Sequence, residues 1–305
     1  LLEEGLDSVV LAVGTHDGVK LPIPGADLDG VMVNIDFLRR VSLGEEVEIG
    51  RRVMVLGGGN VALDCARTAL RLGASEVSVA CLECFETMPS SAEEINESKE
   101  EGVKIYPSLS FVEITGEGGK VRGVKCLDVK SFTFDEQGKL QLETIAGSEQ
   151  IIPADTVIFA VGQRPLLPED LKAVSARGGL VAADSETLFT GVEKVFAAGD
   201  AVSGTASVIE AIASGRNVAS SVDQYLGGDG NIDEKLSPEV EVPEAIGCLE
   251  NFVSLQRRSV SCLPADERIN SFLEINATFD EEEARKESLR CLQCDLRLEM
   301  TRLGS

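Results

Sequence analysis

Histidine is almost missing from this chain, and that scarcity narrows the chemistry before any motif is considered. His16 is the only one; it follows an apolar run in a loop, so a histidine general base has little support. Cations are scarce too: 28 Lys and Arg stand against 52 Asp and Glu, a net charge of −24. A field of that sign repels nucleic acid and anionic membrane surfaces, and neither is an expected partner. No apolar run approaches the roughly 20 residues a membrane-spanning helix needs, and no basic, apolar and small-residue signal opens the chain. The expected location is the cytoplasm. The eight cysteines are scattered apart from two CxxC spacings, Cys81/Cys84 and Cys291/Cys294. In a reducing compartment such pairs point to metal or redox chemistry more than to a structural staple. A hydrophobic content of 43% excludes a disordered acidic tail, and 305 residues suffice for two domains or for one with an appendage.

What the chain does have is concentrated between Arg51 and Glu83. Val53, Met54, Val55 and Leu56 form a wholly apolar run, the pattern of a strand buried on both faces of a parallel sheet. Gly57, Gly58 and Gly59 follow at once. Asn60 to Leu72 then carries apolar residues at helical spacing, with Gly73 as the stop. A second β-branched run, Val77 to Cys81, returns to the sheet. Strand, glycine turn, helix and strand within about thirty residues make the βαβ unit of a dinucleotide fold. In that reading Gly57 permits the tight turn, Gly59 lets the backbone approach a pyrophosphate, and Ala62 lets the helix pack close to the strand. Gly58, Asn60 and Val61 complete the candidate contacts, because the anion sits on the free N–H groups of the helix N-terminus.

Elsewhere, residues 6–14 (LDSVVLAVG) read as a buried strand, Leu21 to Val31 as a Pro/Gly loop, and Ile35 to Val41 as a short connecting helix. Ser90 to Glu101 is an acidic helix candidate, followed by a short strand at Val103 to Ile105. Alternating segments divided by turns argue for an antiparallel meander from Phe111 to Ile152. Ala154 to Pro165 repeats the strand ending in Ala-Val-Gly. The two such strands are expected to be neighbours in one sheet, with the nucleotide unit inserted between them. Lys194 to Leu226 supplies another apolar strand, then Gly199-Asp200, then a long helix. The polar, turn-rich stretch from Gly227 marks a domain end. Asp280 to Arg290 is a last, charged helix candidate.

Taken in order, LAVG with IPG and DFL, GGGNVALDCARTALRLGA, Met88-Pro89 with Glu93-Glu94, AVGQRP, FAAGDAVSGTASVIEAIASGR and RCLQCDLR resemble the small subunit of glutamate synthase and its relatives. These are FAD-dependent NAD(P)H oxidoreductases of the pyridine nucleotide-disulfide oxidoreductase superfamily. The resemblance implies an α/β fold of two Rossmann-like domains, the NAD(P) domain inserted into an incomplete FAD domain, with an antiparallel meander and a C-terminal extension. The expected boundaries are 1–30 and 153–228 for the FAD domain, 31–152 for the inserted domain and 229–305 for the extension. It further implies that Asp200 bonds the FAD ribityl chain. Thr205, Ala206, Ser207 and Val208 then open the helix facing the flavin ring, while Gly162 and Gly199 stand in the two strand-end turns.

The departures from the family also carry expectations. The glycine unit for the FAD pyrophosphate and the iron–sulfur domain that precede this region in the family are not in the chain. FAD therefore has half a site here, completed by the missing N-terminal domain or by another chain. Relatives that use NADPH often end the second strand with two arginines, whereas these positions are Leu82 and Glu83, so NAD(H) is expected over NADP(H). Cys81/Cys84 lie after the glycines, the wrong side for the redox pair of thioredoxin reductases. Cys291 and Cys294 offer half the ligands of an iron–sulfur cubane or a zinc site, and Cys248 and Cys262 complete no recognised spacing. The expected function is hydride transfer from nicotinamide to FAD, with electrons passing through iron–sulfur centres to a partner protein. The alternative is a non-catalytic scaffold that keeps the fold without flavin.

Overall fold

The computed structural model describes residues 5–135, 140–167, 171, 174, 179–232 and 255–291. Its contacts divide the chain into two units, Leu1–Asp233 and Glu234–Ser305. In chain order the first unit opens with β1 (Val9–Leu11), β2 (Asp17–Gly18), β3 (Val31–Val33) and α1 (Asn34–Ser42). Next come β4 (Arg52–Leu56), α2 (Asn60–Arg71), β5 (Glu76–Ala80), α3 (Ala92–Glu100) and β6 (Lys104–Tyr106). The antiparallel strands β7 (Leu109–Glu117), β8 (Lys120–Phe134), β9 (Leu140–Thr144) and β10 (Gln150–Pro153) follow. The unit closes with β11 (Thr156–Phe159), β12 (Gln163–Arg164), β13 (Val195–Ala197), α4 (Asp200–Ser203) and α5 (Val208–Tyr225).

Five parallel strands in the order β3-β11-β4-β5-β6 form the main sheet. Its central strands, β4 and β11, are buried along almost their whole length and nearly wholly apolar, because both faces are covered. Val53, Val55, Val77, Val79 and Ile158 point to one side, where they pack with Ala62, Leu63, Ala66 and Ala69 of α2. Met54, Leu56, Ala80, Val157 and Phe159 point to the other, against Leu109, Ile114, Val121 and Val124 of the antiparallel strands. A parallel strand buried on two faces has no room for polar alternation, and the unbroken run Val53–Leu56 is its sequence trace.

The two strands ending in Ala-Val-Gly are not neighbours, contrary to the expectation above. β1 pairs in parallel with β13, while β11 lies between β3 and β4. Their shared ending reflects a shared kind of turn at a strand end, which carries no information about the pairing partner. β11, which the expected boundary at 152/153 assigned to the other domain, is hydrogen-bonded inside the glycine-turn sheet. The chain crosses between the β1–β13 pair and this sheet twice, at β2 and β12. These two pair antiparallel, and Arg164 bonds Asp17 at 2.7 Å.

α2 and α3 are joined by a charged seam. Arg67 donates to Glu94 at 2.8 Å and to Glu101 at 2.8 and 3.1 Å, and Arg71 reaches Glu101 at 2.9 Å. Glu97 stands 2.9 Å from Arg67. The side chain of Glu101 is 0% exposed and those of Arg67 and Arg71 are 9% and 7%, so the charges are held away from water. Burial pushes the Glu101 carboxyl up, but hydrogen bonds and charge from Arg71 and Arg67 outweigh it and leave the pKa below its ordinary value.

In the second unit, α6 (Ala265–Arg268) precedes α7 (Glu281–Ser288), and Asp280 and Glu283 close a capping box at the α7 N-terminus. Among the described residues no helix is long and apolar enough to cross a membrane.

Candidate functional site: a glycine loop and a strand-end turn

β4 ends in the glycine loop. Gly57 has φ +142°, donates its N–H to the Ala80 carbonyl at 2.8 Å, and a Cβ there would lie 2.2 Å from the Ala160 oxygen. Glycine is thus required by backbone and packing together. At Gly58 an added Cβ would sit 2.9 Å from both Cys81 Cβ and Glu83 Oε2. The Glu83 carboxylate therefore lies against the loop, although its residue follows the next strand.

Gly59 is different. As the N-cap of α2 it has φ −87° and ψ 171°, a conformation open to any residue, and a Cβ there would meet nothing within 4 Å. Neither the fold nor its packing asks for glycine at this point, and the space above the backbone is open. Among the described residues the N–H groups of Gly59, Asn60 and Val61 have no protein acceptor, as expected for the first turn of a helix. Open room over unsatisfied N–H groups at a helix N-terminus is a cradle for an anion. Ala62, fully buried, lets the helix lie close to β4.

The segment before α3 closes the loop from behind. Ser90 donates its hydroxyl to the Gly58 carbonyl at 2.6 Å and its N–H to the same oxygen at 3.2 Å. Ser91 caps α3 and donates its N–H to Asn60 Oδ1 at 2.9 Å. Sequence reasoning missed both contacts. Its available signal was the Ser91-x-x-Glu94 helix-start pattern, which marks a cap but not what the cap touches.

The second group lies after β13. Gly199 has φ +68° and ψ −155°, a region for glycine alone, and its N–H donates to Ser214 Oγ at 2.9 Å. Asp200 begins α4. Ser207 and Glu210 form a capping box on α5, with Glu210 accepting from the Ser207 N–H at 2.8 Å. Thr205 meets Thr15 at 3.2 Å and Gln163 at 3.4 Å, so the turn after β1, the turn holding Gly162 (φ +119°) and the α4–α5 turn converge. Thr15 and Gln163 were also missed, since nothing in their spacing announces the meeting. Ala206 and Val208 are exposed beside them.

The remaining expected residues separate from these groups. His16 is exposed, as a loop histidine should be. Cys81 is buried, and burial first, then Glu83, pushes its thiol up to about 12, so it supplies little thiolate. Cys84 is exposed, with its sulfur 3.2 Å from Thr87 Oγ1. Cys291 is an exposed free thiol, whereas Cys294 and Cys248 lie outside the described residues; Cys262 bonds Asn276 at 2.8 Å. No group of three or more metal-ligating side chains is found among the described residues.

Comparison with known proteins agrees with this architecture. The model of the pyridine nucleotide-disulphide oxidoreductase family matches residues 3–215. The beta subunit of the NADP(+)-dependent formate dehydrogenase of Moorella thermoacetica is 33% identical over 304 residues, covering 96% of this chain and 43% of that protein. The glutamate synthase [NADPH] small chain of Escherichia coli (strain K12) is 36% identical over 239 residues, covering 72% of this chain and 50% of that one. The chain thus spans about half the length of these relatives. Among solved structures, FprA of Mycobacterium tuberculosis in complex with NADPH superposes with a TM-score of 0.60 at 18% identity, over 74% of this chain and 65% of its own. The fold is the Rossmann-like α/β fold of FAD- and NAD(P)-binding oxidoreductases, and the chain belongs to the pyridine nucleotide-disulphide oxidoreductase family.

Proposed function

We propose that this chain is the pyridine-nucleotide-binding part of a flavin-dependent oxidoreductase, holding NAD(H) on the loop Gly57–Ala62. The observation that carries the reading is Gly59: a glycine with an ordinary backbone, open space where a side chain would stand, and free N–H groups beneath. Such a residue is explained by a ligand that must come close to the backbone. When bound, nicotinamide and FAD supply the hydride chemistry between them. The protein's part is to hold and orient. The first turn of α2 takes the pyrophosphate, Glu83 meets the adenine ribose, and Gly199, Asp200 and the α5 N-terminus with Thr205 and Ser207 face the flavin. The interrupted flavin-side domain is read as the segment up to residue 30 and the segment that follows β11, up to residue 228. Onward transfer through iron–sulfur centres to an electron-transfer partner completes the proposal for the whole protein.

The choice of nucleotide follows from Glu83. Its carboxylate oxygen lies 2.9 Å from the Cβ position of Gly58, on the side where the loop meets the end of β5. There it accepts a hydrogen bond from a ribose 2′-hydroxyl and repels a 2′-phosphate. Leu82 offers no donor to compensate. The two relatives named above carry NADP(+) or NADPH in their names, so this chain is proposed to differ from them. One opposed charge is worth about 1–3 kcal/mol, or roughly five- to 150-fold. Calorimetric titration is expected to give a Kd for NADH at least about tenfold below that for NADPH, and Leu82→Arg with Glu83→Arg is expected to narrow or reverse the gap. Equal or tighter NADPH binding by the unmodified chain rejects the assignment of Glu83.

The flavin side gives a separate test. The 305 residues contain one glycine-turn βαβ unit, whereas two dinucleotides each need a pyrophosphate cradle. The purified chain is therefore expected to be colourless or nearly so at the flavin absorption bands. A stoichiometric yellow protein would mean that Gly199, Asp200 and α5 hold FAD unaided.

A further inference from the structure

We infer that Ser90 is a positioning residue for the pyrophosphate site, acting through the Gly58–Gly59 peptide; this rests on the nucleotide reading of the glycine loop. In a trans peptide the carbonyl of one residue and the N–H of the next point in opposite directions. Ser90 takes the Gly58 carbonyl with two donors, its hydroxyl at 2.6 Å and its N–H at 3.2 Å. The Gly59 N–H is thereby turned the other way, and among the described residues it meets no protein acceptor.

That control has to come from outside the loop. Three consecutive glycines have no side chains to restrain the peptide, and rotation about ψ of Gly58 and φ of Gly59 would exchange the N–H for the carbonyl. A carbonyl oxygen facing a pyrophosphate repels it, whereas an N–H binds it. Two donors on the Gly58 oxygen hold the peptide in the anion-binding sense.

Ser90 is itself fixed. It is 7% exposed, and its neighbour Ser91 donates to Asn60 on the first turn of α2 at 2.9 Å. α3, which Ser91 caps, is tied to α2 by Arg67 with Glu94 at 2.8 Å, Glu97 at 2.9 Å and Glu101 at 2.8 Å. The segment Ser90–Ser91 is thus a back-stop mounted on the helix whose N-terminus it serves. Its ligand class is a dinucleotide pyrophosphate, the anion that suits the free N–H groups at the start of α2.

The test is calorimetric titration of Ser90→Ala, Ser90→Cys and Ser90→Thr with NADH and with ADP-ribose, which carries the pyrophosphate without nicotinamide. Ser90→Ala and Ser90→Cys are expected to weaken both ligands by the same factor, about tenfold. Ser90→Thr, which keeps the hydroxyl, is expected to restore both. The thermal midpoints of Cys and Thr variants should agree, so that affinity and stability separate; Cys leaves no cavity if Ala fails to fold. Affinities in Ser90→Cys unchanged from the unmodified chain overturn the proposal. Loss for NADH alone also overturns it, by moving Ser90 to the nicotinamide end. Gly59→Val run beside them tests the nucleotide reading itself: NADH binding that survives this change condemns the site, whereas binding lost in Gly59→Val but intact in Ser90→Cys condemns only the role of Ser90.

Discussion

Replacing Gly59 with valine is expected to weaken NADH binding by at least about a hundredfold while the protein stays folded. The backbone at φ −87° and ψ 171° suits a β-branched residue, and no protein atom lies within 4 Å of the new Cβ. The fold therefore loses only the advantage of glycine over valine at an N-cap, about 1 kcal/mol, or a few degrees in thermal midpoint for a unit of this size. The ligand loses its place. An isopropyl group stands where a phosphate must come within hydrogen-bond distance of the α2 N–H groups, and a partly displaced anion forfeits several charge-assisted bonds at once. Gly57→Ala makes the contrasting control. Its φ of +142° and the 2.2 Å approach to the Ala160 carbonyl put the penalty on folding rather than on binding. Calorimetry with NADH beside a thermal melt separates the two, and unchanged affinity in Gly59→Val would reduce the loop to a turn.

The second large effect is expected on stability, from Glu101→Gln. Both carboxylate oxygens of Glu101 are engaged by Arg67 and Arg71, and its side chain is 0% exposed. Removing one partner of a buried pair leaves the other charge uncompensated, at a cost of about 3–5 kcal/mol. Glu94 and Glu97 remain on Arg67, which places the expectation at the lower end, about 3 kcal/mol and a fall of about 6–12 °C in thermal midpoint. The pH dependence has a definite sign. The folded pKa of Glu101 lies below the ordinary value of 4.5, so its contribution is fully present above that value and is lost as the pH falls through the folded pKa. The variant should differ most from the parent at neutral pH and converge with it in acid. A midpoint unchanged at pH 7 would mean that the seam between α2 and α3 contributes nothing net.

The sequence alone determined the βαβ unit, because each of its parts is enforced locally. Two-sided burial requires an unbroken apolar run, a φ of +142° requires Gly57, and helical spacing shows the face α2 buries. The antiparallel strands and the long α5 were legible for the same reason. The pairing of strands was not, since hydrogen bonds between backbones are blind to sequence. Two strands with the same Ala-Val-Gly ending joined different sheets, and the three-residue β3, too short to announce itself, became the partner of β11. At the site, spacing marked Gly57–Ala62 and the Gly199-Asp200 turn before a long helix, while Thr205–Val208 came from the family resemblance. Only the tertiary structure brought Ser90 to the Gly58 carbonyl across 32 residues and Thr15 to Thr205 across 190, because these contacts depend on where separate loops end in space. The same holds for Gly58 and Gly59, identical as letters: one makes way for the Cys81 and Glu83 side chains, and the other faces open space, a difference set by neighbours that the chain supplies from elsewhere.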